Sequence, residues 1–187
     1  TTDANIVWRY CQVSQGLALP LAVLPPASYA VGDDVTELTG IRKYEKPVPI
    51  HLSGVAKGPF PSWMRKTDEP NLRSFPEALA EFSGRHCVIT LKVDGTSGTF
   101  YLRGGEFGVC SRNLELLEDA ENTYWKVARV LDLETTLKAI NGNFALQGEL
   151  VGEKIQKNTL RLKGQTVYFF NAYNLEKREY LGFNEFQ

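Results

Sequence analysis

Within this 187-residue sequence, Lys92-Val93-Asp94-Gly95-Thr96 combines a potential nucleophile with a tight turn. A lysine that attacks an electrophile must do so as the free amine, although an unperturbed side chain holds its proton to a pKa of about 10.4. Burial at a strand end and neighbouring cations, a bound divalent metal among them, both favour the neutral form. An Asp-Gly turn directly after an extended run predicts Lys92 at the end of a sheet, facing a cleft. Taken alone, the segment reads more simply as a hairpin with a solvated lysine. Its downstream company points to chemistry.

Three further blocks follow in order: Cys110-Ser-Arg-Asn113, then Leu146-Gln-Gly-Glu-Leu-Val-Gly152 with Ile155-Gln-Lys-Asn158, then Phe169-Phe-Asn-Ala-Tyr-Asn174. With Lys92-Val-Asp-Gly95 they resemble motifs I, Ia, III and IIIa of the covalent nucleotidyltransferases, which comprise DNA ligases, RNA ligases and capping guanylyltransferases. Gln-Gly-Glu-Leu followed by Ile-Gln-Lys is most similar to the nick-sealing branch of ATP-dependent RNA ligases. The resemblance runs from about Gly58 to Leu175.

It implies that Lys92 takes AMP from ATP, that AMP passes to an RNA 5′-phosphate, and that a 3′-OH then displaces it. Lys92, Asp94, Gly95, Arg112, Glu149 and Tyr173 would form the nucleotide site. Arg112, a permanent cation with a bidentate fork, would contact a phosphate or the ribose. Glu149 would hold the ribose hydroxyls or, with Asp94, the water shell of Mg²⁺ or Mn²⁺, since hydrated Mg²⁺ is commonly held by one or two carboxylates. Tyr173 would stack on adenine, while Phe169 and Phe170 read as core. RNA ends or a nicked duplex are the implied partners.

The sequence departs from the family pattern at Leu91, where related ligases often carry Glu, and at Ser97, where some carry Asn. No Glu-Gly-(Val/Ile)-Val or Lys-x-Lys element, motifs IV and V, follows Tyr173. The expectation is that the core continues beyond Gln187 and that this chain alone adenylylates poorly. The rival readings are a nucleotide- or nucleic-acid-binding fragment without turnover, a DNA ligase, and a GTP-using capping enzyme. The charged Lys66-Thr-Asp-Glu-Pro70 segment reads as a loop without a catalytic role.

The elements that must position these residues follow from periodicity. Ile6–Val13 and Leu17–Val23 read as strands around a Ser14-Gln-Gly16 turn, and the Pro- and Gly-rich stretch from Gly32 to Lys66 as a surface linker. A capping box at Ser74-Phe-Pro-Glu77 predicts a helix to Gly84 with Leu79 and Phe82 on its buried face. Strands are expected at 86–92, 99–102, 107–110, 144–151, 159–162 and 167–174. Between them, Tyr124, Val127, Ala128, Leu131, Leu133, Leu137 and Ile140 mark a helical face ending at Asn141-Gly142.

That order predicts an α+β fold with mainly antiparallel sheets. The family resemblance refines it to an ATP-grasp-like ligase adenylation core over residues 54–187. Residues 1–53 then read as the C-terminal part of an OB-like domain plus linker, with too few strands to close a barrel.

Composition excludes other classes. Apolar residues at 43% and charged residues at 23% describe a globular protein, and a net charge of -1 gives no global nucleic-acid footprint. Basic runs are local, at 42–66 and 154–163. No apolar run approaches the roughly 18 residues of a membrane span. Cys11, Cys87 and Cys110 form no metal-spaced pair, so reduced thiols in an intracellular protein, cytoplasmic or nuclear, are expected.

Overall fold

A computed structural model of the protein describes residues 8–9, 12–13, 18–41, 49, 52–67, 71–86, 88–140 and 142–186. The chain divides into two compact units, Thr1–Lys46 and Pro47–Gln187. In the first, β1 (Trp8–Arg9) pairs antiparallel with β2 (Gln12–Val13), with Trp8 opposite Val13. The expected turn at Ser14-Gln-Gly16 lies outside the described residues. Where a second strand was expected, Leu21–Val23 forms a 3₁₀ turn, because Pro20 enters at φ -59° and the Leu24 amide closes back on the Leu21 carbonyl. A single helical turn, α1 (Thr36–Thr39), ends on Gly40 in the left-handed region.

The second unit is built on seven strands: β3 (Ala56–Pro59), β4 (Thr96–Arg103), β5 (Glu106–Ser111), β6 (Leu114–Leu116), β7 (Phe144–Gly152), β8 (Gln165–Asn174) and β9 (Glu179–Tyr180). Their order is β3-β6-β5-β4-β7-β8-β9, with every pair antiparallel. The expected antiparallel α+β class is therefore found. Alternation gives the sheet two faces.

Phe100, Val109, Leu150 and Val167 point to one face, where they pack with Trp125, Val127 and Ala128 of α3 (Thr123–Val130) and Leu133 of α4 (Leu133–Ala139). Tyr101, Cys110, Ala145 and Tyr173 point to the other, against Phe60 and Met64. Asn122 caps α3 by accepting the Tyr124 amide. Asp132, at φ 48°, breaks what the apolar spacing made one helix into two. The turn leaves Leu131 and Ile140 partly outside the core.

Several expected elements differ. The segment 56–66 is no surface linker: β3 joins the sheet through β6, and Phe60 and Met64 are buried beyond it. Ser74 does not cap a helix. It ends a 3₁₀ turn (Leu72–Ser74) capped by Asn71, and α2 (Glu77–Phe82) starts after Pro76 with no side-chain cap. Leu79 and Phe82, expected to be buried, are exposed.

The run at 86–92 forms no strand among its described residues, and Ile89 is 95% exposed. β-Branched composition favours a strand only where a neighbour completes the ladder. The run expected as a strand at 159–162 is turn, with Asn158 and Arg161 at positive φ and Asn158 hydrogen-bonded both ways to Leu162. Among the described residues, no helix is long and apolar enough to cross a membrane.

Candidate functional site

Register brings the sequence blocks together. β4 lies between β5 and β7, so Ser97 faces Glu149 and Thr99 faces Gln147 across the β4–β7 ladder, while Thr99 also faces Cys110 of β5. These residues share the face opposite the helices. Asp94-Gly95 is not a hairpin loop but the bend through which the chain enters β4.

Gly95 is required there by close approach: a Cβ would sit 2.0 Å from the Leu150 carbonyl oxygen and 2.9 Å from Glu149 Cγ. The same contact lets the Gly95 amide donate to Glu149 Oε1 at 3.1 Å. Turn and strand carboxylate are thereby locked together. Beneath them, on the helix side, the Thr96 hydroxyl meets the Tyr124 hydroxyl of α3 at 3.0 Å.

Glu149 is the electrostatic centre. Its pKa is raised, first by desolvation; the Gly95 amide and the charges of Lys92 and Arg112 oppose this, and the charge of Asp94 adds to it. Lys92, Asp94 and Arg112 thus lie within electrostatic reach of one carboxylate. Two carboxylates that repel one another beside two cations suit a group that is part cation and part anion, such as a metal–phosphate pair. The donor set fits a hydrated Mg²⁺ or Mn²⁺ held by one or two carboxylates. Among the described residues no cluster of three or more His, Cys, Asp or Glu could hold a metal.

Lys92, expected at a strand end facing a cleft, is exposed on the irregular segment preceding β4. Arg112 follows β5 and, with Ser97, Thr99, Phe60, Lys66 and Thr67, lines a small hollow open to solvent. Lys66 and Thr67 were read as a charged loop without a catalytic role, and the fold lays 56–67 across the sheet.

Three hydrogen bonds hold that strap: the Phe60 amide donates to the Asn113 carbonyl at 2.8 Å, Gln147 Nε2 to the Arg65 carbonyl at 2.7 Å, and Lys66 Nζ to Asn113 Oδ1 at 3.1 Å. Lys57 and the Tyr101 hydroxyl both donate to Glu115 Oε1, at 2.8 and 2.6 Å, which anchors its start. Burial and Glu115 together push the Tyr101 phenol pKa far up. Gln147 is 1% exposed, and its Oε1 has no protein partner among the described residues.

Tyr173 lies on this face but is not open to it. It is 5% exposed and packs edge-on against Tyr180, ring centroids 5.0 Å apart. Phe170, expected in the core, is 41% exposed. Gln147 faces Asn171 while Gly148 faces Phe169, so Phe170 is the extra residue of a bulge. Phe169 packs edge-on against Phe100, as a core residue does.

A family model described as RNA ligase matches residues 85–187. Among solved structures, a Naegleria gruberi RNA ligase variant with AMP and Mn is 42% identical with a TM-score of 0.70, over 97% of this chain and 55% of that one. A second variant of that ligase, with ATP and Mn, is 43% identical at a TM-score of 0.70, over 97% of this chain and 54% of that one. The same protein with PPi gives 43%, 0.70, 97% and 54%. The chain thus spans about half the length of the solved relatives it matches. No curated protein matches it.

Proposed function

Because the chain belongs to the RNA ligase family, we propose that it supplies the nucleotidyl-transfer site of an ATP-dependent RNA ligase, with Lys92 as the nucleophile. The observation that carries this is the gathering of Lys92, Asp94 and Arg112 around Glu149, whose carboxylate is fixed by the Gly95 amide.

In the first step Lys92 Nζ, having lost a proton, attacks the α-phosphorus of ATP. A P–N bond forms, and the bond to pyrophosphate breaks. Arg112 holds the negative charge of the phosphate or orients the ribose, and Glu149 accepts the ribose hydroxyls or orients metal-bound water. A divalent ion, Mg²⁺ or Mn²⁺, would neutralise phosphate charge when bound next to Glu149 and Asp94. In the second step an oxygen of an RNA 5′-phosphate attacks the AMP phosphorus and displaces Lys92. In the third a 3′-OH attacks the RNA phosphorus, and AMP departs. The solved relatives hold ATP with Mn, AMP with Mn, and PPi: the reactant of a first step of this kind, the nucleotide released in the last, and the leaving group of the first.

The adenine platform assigned to Tyr173 requires that ring to be uncovered from Tyr180. Phe170 offers an aromatic face already open, so both are candidates for stacking. The further architecture we read is an ATP-grasp-like adenylation core over 54–187 and the end of an OB-like domain over 1–53. The seven-stranded antiparallel sheet with helices on one face supports the first part. Action on RNA ends inside the cell suits Cys110, a buried free thiol.

Comparing ATP with GTP for covalent labelling, then RNA with DNA nicks for sealing, tests the reading. ATP-dependent labelling with RNA sealing is expected, whereas labelling by GTP alone or sealing of DNA alone would overturn it. The exposure of Lys92 favours one second reading, a chain that binds ATP without turnover. ATP binding with no adduct would be its result.

A further inference from the structure

Gln147 stands two residues before Glu149 on β7, so both side chains emerge on the same face of the sheet, roughly 7 Å apart. Glu149 meets the nucleotide in the reading above. Gln147 is 1% exposed and lies under the strap, where its Nε2 donates to the Arg65 carbonyl at 2.7 Å. We propose that Gln147 is a positioning residue of the nucleotidyl-transfer site, which acts by setting the strap against the sheet beside Arg112. The proposal rests on the ligase reading of that site.

An amide suits a mere packing role poorly. Across the two ladders Gln147 faces Thr99 and Asn171, and the same side of the sheet is filled by Phe60, Met64, Cys110 and Ala145. Its Oε1 has no protein partner among the described residues. A buried acceptor left unmatched is penalised, and an apolar side chain of the same shape would avoid the penalty. What the amide adds is one directed bond between residues 82 apart in the chain.

That bond falls where the strap reaches the site. The Arg65 guanidinium stands over the Tyr180 ring, 5.9 Å from its centroid, and Tyr180 covers Tyr173. The next two residues, Lys66 and Thr67, line the hollow with Ser97 and Arg112. Ser97 in turn faces Glu149 across the β4–β7 ladder. One strand, β7, therefore carries both the site carboxylate and the anchor of the adjoining wall. Upstream, Glu115 holds the strap's start and Met64 is buried along its length. A wall set in advance leaves less to order when nucleotide binds, so its release weakens binding and spares the rate of the chemical step.

Gln147→Met tests this, since it keeps the length of the side chain and removes both the donor and the unmatched acceptor. Gln165→Met is the control, because Gln165 also donates its amide to a carbonyl, that of Glu153 at 2.8 Å, away from the strap. Trypsin reads the strap directly by cutting after Arg65 and Lys66, and cutting after the exposed Lys177 calibrates global opening. Calorimetry gives the affinity for ATP with Mn²⁺, and the maximal rate of AMP labelling at Lys92 is followed beside it.

In Gln147→Met, cutting at Arg65 and Lys66 relative to Lys177 is expected to rise about fivefold, the scale of one net hydrogen bond, because proteolysis follows the population of the opened form. Affinity for ATP falls by a similar factor, while the maximal labelling rate is kept and the melting temperature does not drop. Gln165→Met changes none of these. A cutting ratio that stays unchanged overturns the anchor. A freed strap with unchanged ATP affinity overturns the positioning role, as does a lower melting temperature with equal extra cutting at every site. Should Gln147→Met not fold, Gln147→Ala removes the same donor, and its cutting ratio and ATP affinity decide in the same way. If even the unaltered chain takes no label on Lys92, the ligase reading fails, whereas the cutting ratio and ATP affinity still judge Gln147.

Discussion

Glu149 is placed under opposing demands. Its backbone partner at Gly95 and the nearby Lys92 and Arg112 favour the carboxylate, but desolvation and Asp94 prevail and raise its pKa. A raised folded-state pKa means that folding favours the protonated form, so the penalty is absent below the unfolded value near 4.5 and sets in as pH rises through the window above it. Glu149→Gln, which mimics that form, is therefore expected to melt higher than the unaltered chain at pH 7 and equally at pH 4, while losing affinity for ATP with Mn²⁺. Thermal melts at the two pH values, with a nucleotide titration, check this.

Gly95→Ala acts sterically, since its Cβ would meet the Leu150 carbonyl at 2.0 Å. A loss of about 1–3 kcal/mol in denaturant unfolding is expected. The turn, Arg112 and Glu149 were legible because fixed residue types recur at motif spacing, and the fold gathers them around one carboxylate. The aromatic was less so. A single bulge at Phe170 breaks the alternation along β8 and opens a side chain that parity had placed in the core.

At the level of elements, apolar periodicity found the helices but not which of them have something to pack on. Leu137 of α4 is fully buried, whereas Leu79 of α2 is 63% exposed although both sit on apolar faces. Leu137→Ala is expected to destabilise by about 2–5 kcal/mol. Leu79→Ala is expected to fall within about 0.5 kcal/mol of the unaltered chain. Urea unfolding of the pair measures the contrast. The run at 86–92 carries the same lesson, since its residues have strand propensity while a strand also needs a neighbour. The strap at 56–67 was illegible for the opposite reason. Prolines and charges read as linker, yet Phe60, Met64 and the Asn113 and Gln147 hydrogen bonds bind it to the sheet.

At the scale of the whole molecule, every buried core residue among the described residues falls between Ala56 and Tyr173, inside the second unit. A chain beginning at Pro47 is thus expected to unfold at the same midpoint and with the same cooperativity as the 187-residue chain, as circular dichroism would show. The antiparallel α+β class was readable from element order, because short strands broken by turns leave few other ways to bury alternate residues.

What joins the molecule to its proposed chemistry is one atom, Lys92 Nζ. The most direct measurement is peptide mapping by mass spectrometry of the protein after incubation with ATP and Mn²⁺. One AMP on the peptide containing Lys92, removed by pyrophosphate and lost in Lys92→Ala, is the predicted result. AMP attached to another residue, or undiminished in Lys92→Ala, would contradict it.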